Sequence, residues 1–138
     1  RIVKALLLSI KPEYVWKILK GEKKYEYRKR LAKEKVNQIY VYCTAPTMKV
    51  VASVQVVNQL SASPAVLWEH TKLTAGISRK KYREYFRGKK VAYAYELGEV
   101  KIFKDWMNLS DFGICTAPQS YTYIEVDYSS VKVPRFME

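Results

Sequence analysis

The chain has 138 residues, 49% hydrophobic and 28% charged, which is the balance of one globular domain with a core rather than of a disordered segment. Lys and Arg outnumber Asp and Glu by 25 to 13, a formal charge of +12 that favours a polyanionic partner. Two cysteines and one histidine are too few for a four-ligand zinc site, a disulfide framework or a secure Ser-His-Asp site; the apolar runs are too short to span a membrane, and five isolated glycines make no phosphate loop.

In chain order, the apolar run Val3–Ile10 predicts a buried strand, and Pro12 then opens a helix whose first turn does not miss its N–H. Tyr14, Val15, Ile18 and Leu19 line one face of that helix, and Gly21 stops it. Lys23–Arg30 reads as a strand with Tyr25 and Tyr27 on one face and Lys24, Glu26 and Arg28 on the other, followed by a charged connection from Leu31 to Lys35. Val36–Thr44 and the valine-rich Lys49–Asn58 are two further strands joined across Ala45-Pro46-Thr47.

Ser63 caps a short helix that begins at Pro64 and runs to about Thr71, and Gly76 is the helix breaker that follows. Ser78 caps another helix, with Tyr82, Tyr85 and Phe86 on its apolar side and Gly88 at its end. Val91–Phe103 is one long strand or a hairpin bent at Gly98. Lys104–Pro118 reads mostly as loop, Tyr121–Val126 as the last strand, and the tail after Asp127 as loosely packed. Trp16, Trp68 and Trp106 are expected in or at the edge of the core, His70 on a helix surface, and Cys43 as a buried small hydrophobe. Strands dominate without βαβ alternation, so the predicted fold is mainly β within the α+β class: a small barrel of five to seven strands with about three short helices, one domain over residues 1–138.

The excess charge sits in two places. Lys11–Lys35 holds ten Lys/Arg against four Glu, and Arg79–Lys90 holds seven against one, while the rest of the chain is balanced. Tyr25, Tyr27, Tyr82, Tyr85 and Phe86 interleave with these charges. Basic grooves with aromatic platforms suit single-stranded nucleic acid.

Leu7-Leu8-Ser9-Ile10-Lys11-Pro12, then a helix, then Gly21-x-Lys23 with Arg28 resembles the ASCH domain of the PUA-like superfamily. Ser63-Pro64 with Leu67-Trp68, Ala75-Gly76-Ile77-Ser78, Leu109–Gly113 and Ala117–Tyr121 continue the pattern in the family's order across nearly the whole chain. The resemblance implies a PUA-like barrel with a cleft between the barrel and the helix before the signature strand. It also implies RNA binding, with chemistry assigned in a few members: amide hydrolysis of acetylated cytidine, or cleavage of RNA. In the hydrolytic members the signature Lys acts with a Thr three residues on and a later Glu. Lys23 matches that Lys, but Glu26 stands at the Thr position and the later Glu falls near Ala75, so two of the three roles are unfilled.

Lys23 is the leading candidate, as a phosphate contact or as a buried lysine of lowered pKa serving as base or nucleophile. Glu26 and Arg28 are neighbours on one strand face: Glu26 is the second catalytic candidate, or else orients the Arg28 fork toward a base or phosphate. The nucleic-acid-binding set is Ser9, Lys11, Lys23, Lys24, Arg28, Lys29, Arg30, Tyr42, Arg79, Lys80, Lys81 and Arg83. Gln119, Ser120 and Tyr121 join it from the family pattern. The leading reading is a binding module for RNA in preference to DNA. An enzyme on a modified nucleoside or on RNA is the second reading, and a protein-interaction domain of a transcription or translation assembly the third. No metal, cofactor or membrane partner is expected, and the scarce cysteines fit the cytoplasm.

Overall fold

The apolar run near the start forms β1 (Ile2–Ile10) of a computed structural model that describes residues 1–127; the expectation of a loose tail after Asp127 lies outside the described residues. The elements that follow are α1 (Pro12–Leu19), β2 (Tyr25–Arg28), β3 (Gln38–Cys43), β4 (Lys49–Ala62), α2 (Pro64–Thr71), α3 (Arg79–Tyr85), β5 (Ala92–Met107) and β6 (Tyr121–Asp127). Single 3₁₀ turns cover Lys72–Thr74 and Leu109–Phe112. No helix among the described residues is long and apolar enough to cross a membrane.

All six strands form one sheet in the order β2-β5-β4-β3-β1-β6, antiparallel except for the parallel pair β1–β3. The α1–β2 segment is the crossover that a parallel pair requires. The strand number and mainly-β character agree with the sequence reading. The hydrogen-bond ladder itself is open: β2 and β6 end the sheet, and the barrel-like shape is completed by side chains, as shown below.

β1 is apolar on both faces because the sheet has a core on each side. Leu6, Leu8 and Ile10 join Ile39, Val41, Val51, Val54 and Tyr95, with Val15 and Ile18 of α1 closing that side. Ala5 and Leu7 face the other way, to Tyr40, Tyr42, Val50, Ile124 and Val126. Each fully buried leucine here contributes about 1.5–3 kcal/mol relative to an exposed one. A third cluster lies under α2 and α3, where Leu67, Tyr82 and Phe86 pack on Tyr27, Ala92 and Ala94. The Ser63 and Ser78 hydroxyls cap these helices as expected, accepting from the Val66 and Lys81 N–H groups at 3.3 and 3.1 Å.

Three local expectations change. β5 continues through Gly98 to Met107, so there is no hairpin, and the expected loop starts later. Gly98 sits in a bulge: Gly98 and Glu99 of β5 lie opposite the single residue Gln55 of β4, and Val57 is an extra residue on β4. A Cβ on Gly98 would stand 2.6 Å from Gln55 Oε1 and 2.7 Å from Val57 Cγ1, so the glycine suits the close approach of the two strands there. β4 extends past Asn58 to Ala62 because its last residues find partners on β5, from Asn58↔Glu96 to Ala62↔Ala92. Trp106 is 48% exposed rather than core, whereas Trp16 and Trp68 are partly buried against core clusters.

Tyrosines hold the charged 31–35 connection: the Tyr95 and Tyr123 hydroxyls accept from the Ala32 and Glu34 N–H groups, each at 2.8 Å. The Ala32 bond is buried. Tyr95→Phe leaves that N–H without its acceptor and is expected to cost about 1–3 kcal/mol of unfolding free energy, read as a lower urea midpoint with an unchanged m-value.

Candidate functional site

The turn after α1 folds back beneath the helix because the Glu22 and Lys23 N–H groups both donate to the Lys17 carbonyl, at 2.9 and 3.1 Å. Lys24 N–H then donates to the Thr74 carbonyl at 2.9 Å, docking this turn on the α2–α3 connection. Lys23 is thereby 3% exposed. Its ammonium donates to the Ala75 carbonyl at 2.7 Å and lies 4.8 Å from the centre of the Tyr27 ring and 5.3 Å from that of Tyr14. Burial lowers its pKa to about 8; nearby Glu26 opposes the shift, and Lys17 and Arg28 add to it.

Gly76 makes room for this lysine. It has φ +66°, and a Cβ there would stand 2.5 Å from Lys23 Cγ and 2.9 Å from Cδ. The Lys17 ammonium donates to the Gly76 carbonyl at 3.4 Å, so two lysines hold consecutive carbonyls of one loop.

β2 brings Glu26, 7% exposed, and Arg28 to the same face. Arg28 donates to Glu26 Oε2 from Nε at 3.1 Å and from Nη2 at 2.7 Å. Nη2 also donates to the Ser9 carbonyl at 3.0 Å, and Nη1 reaches Ser120 Oγ at 3.5 Å. Ser9 in turn donates its hydroxyl to the Pro118 carbonyl at 2.7 Å and its N–H to the Ser120 carbonyl at 3.2 Å. A strand at one end of the sheet is thus tied to β1 and to the segment entering β6 at the other.

On the opposite face of β2, Tyr27 meets Thr71 Oγ1 at 2.6 Å. Thr71 gives its hydroxyl proton to the Leu67 carbonyl at 2.7 Å, so the Tyr27 hydroxyl is the donor in their bond. Burial pushes the Tyr27 pKa well above that of a free phenol.

The structure therefore gathers Ser9, Lys23, Glu26, Arg28 and Ser120 into one region. Lys11, Lys24, Lys29, Arg30 and Gln119 are exposed around it, and Tyr121 is half-buried against the core under α1. Lys29 lies 4.8 Å from the Tyr85 ring and so joins β2 to α3. Arg79, Lys80 and Arg83 are exposed and line an open depression with Glu84 and Arg87, whereas Lys81 reaches Glu13 of α1 at 3.5 Å. Tyr42 is not part of this region; it is buried in the core on the other side of the sheet. Tyr14, Thr71 and the Ala75 carbonyl are not singled out as site groups by the sequence; the Ala75-Gly76 pair, which matches the family pattern, was the available signal, and its meaning depends on Lys23. Among the described residues no three His, Cys, Asp or Glu side chains cluster as metal ligands.

The ASCH domain family model matches residues 8–107. The chain is 27% identical over 126 residues to a protein of Zymomonas mobilis named ASCH domain-containing ribonuclease, covering 88% of this chain and 84% of that protein. The crystal structure of ASCH from Zymomonas mobilis superimposes with a TM-score of 0.79 at 25% identity, covering 91% of this chain and 89% of that one. A further relative, Large ribosomal subunit protein uL22 of Ureaplasma parvum, is 26% identical over 104 residues; the match takes in 75% of this chain and 33% of that protein.

The lowered pKa of Lys23 has a sign that can be measured. Between about pH 8 and the ordinary value of 10.5 the unfolded chain holds a proton that the folded chain has lost, so this site's contribution to stability rises with pH across that window. Below pH 8 the cost of burying the ammonium is constant. Relative to Lys23→Met, the wild-type protein is expected to gain about 2 kcal/mol in urea unfolding between about pH 8 and 9.5. Parallel pH profiles for the two proteins would remove the assignment.

Proposed function

Because the chain belongs to the ASCH domain family of the PUA-like superfamily, we propose that it is an RNA-binding domain that holds a nucleotide or short single-stranded segment where β2 meets β1 and the entry to β6. The observation that carries this reading is the Arg28 cluster. A guanidinium braced by Glu26 and Ser9 keeps Nη1 as its least engaged nitrogen, beside Ser120, in a chain of net charge +12. Lys11, Lys24, Lys29 and Arg30 are exposed cations close in sequence to Ser9 and Arg28, and in this reading they contact phosphates. Arg79, Lys80 and Arg83, with Lys81 beside them, extend the positive surface along α3. RNA is favoured over DNA because the Zymomonas relative is named a ribonuclease. A cytoplasmic setting accords with Cys43 and Cys115 both being free thiols.

A second reading, cleavage of RNA, rests on Lys23. An ammonium with a pKa of about 8 is within reach of proton transfer at neutral pH. In such a reaction the 2′-oxygen bonds to phosphorus as the bond to the 5′-oxygen breaks; the 2′-hydroxyl proton leaves to a base, and the departing 5′-oxygen gains one. Lys23 would supply the positive charge or the second proton. Binding ranks above turnover because the ammonium already donates to Ala75 and its two aromatic neighbours shield it.

Binding of a short single-stranded oligoribonucleotide, followed by anisotropy, is expected to weaken with salt at a log–log slope of about −3.5 if about five phosphates are neutralised. Arg28→Lys keeps the charge but loses the planar fork, and is expected to weaken binding about tenfold or more. A slope near zero for RNA and DNA alike would sink the proposal.

In a ribonuclease assay the wild-type protein is expected to leave the strand intact. Turnover that disappears in Lys23→Met while affinity is retained would instead establish the enzymatic reading.

A further inference from the structure

Trp106 is an exposed aromatic on a strand where core packing does not use it. Half of it is open to solvent, and Ile102, four residues earlier on β5, is 54% exposed. It is not a loose side chain: its ring centre lies 6.2 Å from that of Trp16 on α1, with the planes tilted by 34°. Trp16 itself packs against the main core. The partly buried ring therefore gives the exposed one a packing partner, which lowers the side-chain freedom that binding would cost.

The surroundings are basic. Lys20 follows Trp16 by one helical turn, and Lys101 and Lys104 precede Trp106 on β5; all but the half-buried Lys101 are exposed. The carboxylates in the same stretches are Asp105 on β5 and Glu13 on α1, the latter already paired with Lys81. A solvent-facing indole held by a second indole and flanked by cations has the chemistry that stacks on a nucleobase while neighbouring phosphates are neutralised. None of these residues belongs to the Arg28 cluster or to the family pattern on which the sequence reading relied.

We propose that the Trp16–Trp106 pair is a base-stacking platform, a second contact for single-stranded RNA that takes an unpaired base rather than a phosphate. This rests on the RNA-binding reading and adds to it a separate contact at the far end of β5 from the Arg28 pairing.

The test compares two probes, a short oligoadenylate and inorganic polyphosphate, in a Trp68→Phe background so that fluorescence reports Trp16 and Trp106. Oligoadenylate is expected to quench that fluorescence and polyphosphate to leave it nearly unchanged. Trp106→Ala is expected to weaken oligoadenylate binding about 5- to 150-fold, the range for losing one stacked base, with polyphosphate affinity unchanged. Trp106→Phe keeps a ring and is expected to restore most of the loss, which a merely structural defect would not follow; thermal melts of each variant check folding. Wild-type oligoadenylate affinity in Trp106→Ala, with Arg28→Lys still impaired, would overturn the platform and leave the RNA-binding reading standing. Failure of the unaltered protein to bind any RNA would overturn both. Concentration-dependent dimerisation abolished by Trp106→Ala would assign the patch to a second copy of the chain and overturn the platform.

Discussion

The guanidinium of Arg28 joins parts of the chain that the backbone ladder leaves apart. Its donors reach a carboxylate on its own strand, the carbonyl of Ser9 on β1 and the hydroxyl of Ser120 at the entry to β6. β2 pairs with β5 alone and β6 with β1 alone, so these contacts, together with the core shared by β5 and β6, bring the two ends of the sheet together. An arginine can do this because its fork carries five N–H donors in a fixed plane. The arrangement also explains why Glu26 is buried: its charge is tolerated there because a guanidinium meets it with two hydrogen bonds, and removing that partner would leave an uncompensated buried carboxylate. Scaffold and candidate site are consequently the same set of atoms.

Lys23 presents the complementary case, a charge buried with no carboxylate bonded to it. Its compensation is a single carbonyl and the faces of two tyrosine rings, which is weaker than an ion pair and leaves the proton easier to lose. The geometry depends on a glycine more than fifty positions away in sequence. The Tyr27 hydroxyl donates to Thr71, whose own proton goes to the Leu67 carbonyl, so this ring is held in place beside the ammonium.

Much of this was legible from local chemistry. Pro12, Ser63-Pro64 and Ser78 begin helices for reasons contained within a few residues, and the alternation of Glu26 with Tyr27 places them on opposite faces of β2. What was not legible depends on distant partners. That β5 passes Gly98 as a bulge rather than a hairpin is set by its pairing with Gln55 and Val57 of β4, and the extension of β4 by strand residues thirty or more positions later. Tyr42 resembles a site residue by its place at the end of a strand, but strand parity points it into the core opposite α1. Lys23 and Arg28 could be named from the sequence; that one is buried by a loop and the other spends most of its fork on the protein is a consequence of tertiary packing.

The placement of β1 has a consequence for how the chain acquires its shape. Its first partner, β3, is some thirty residues downstream, but its other edge is covered by β6, with Ile2 opposite Asp127 and Leu8 opposite Tyr121. Among the described strands, β1 is made before the others and completed last, waiting through the translation of the elements between it and β6 with one edge unpaired. Closing so long a loop is entropically slow, and an open edge bearing Ala5-Leu6-Leu7-Leu8 is the kind of segment that pairs with the wrong neighbour meanwhile. The nascent chain is therefore most vulnerable to aggregation in the interval before β6 docks, and a truncation within β6 would prolong that interval indefinitely while leaving every residue of the Lys23 and Arg28 region in the chain.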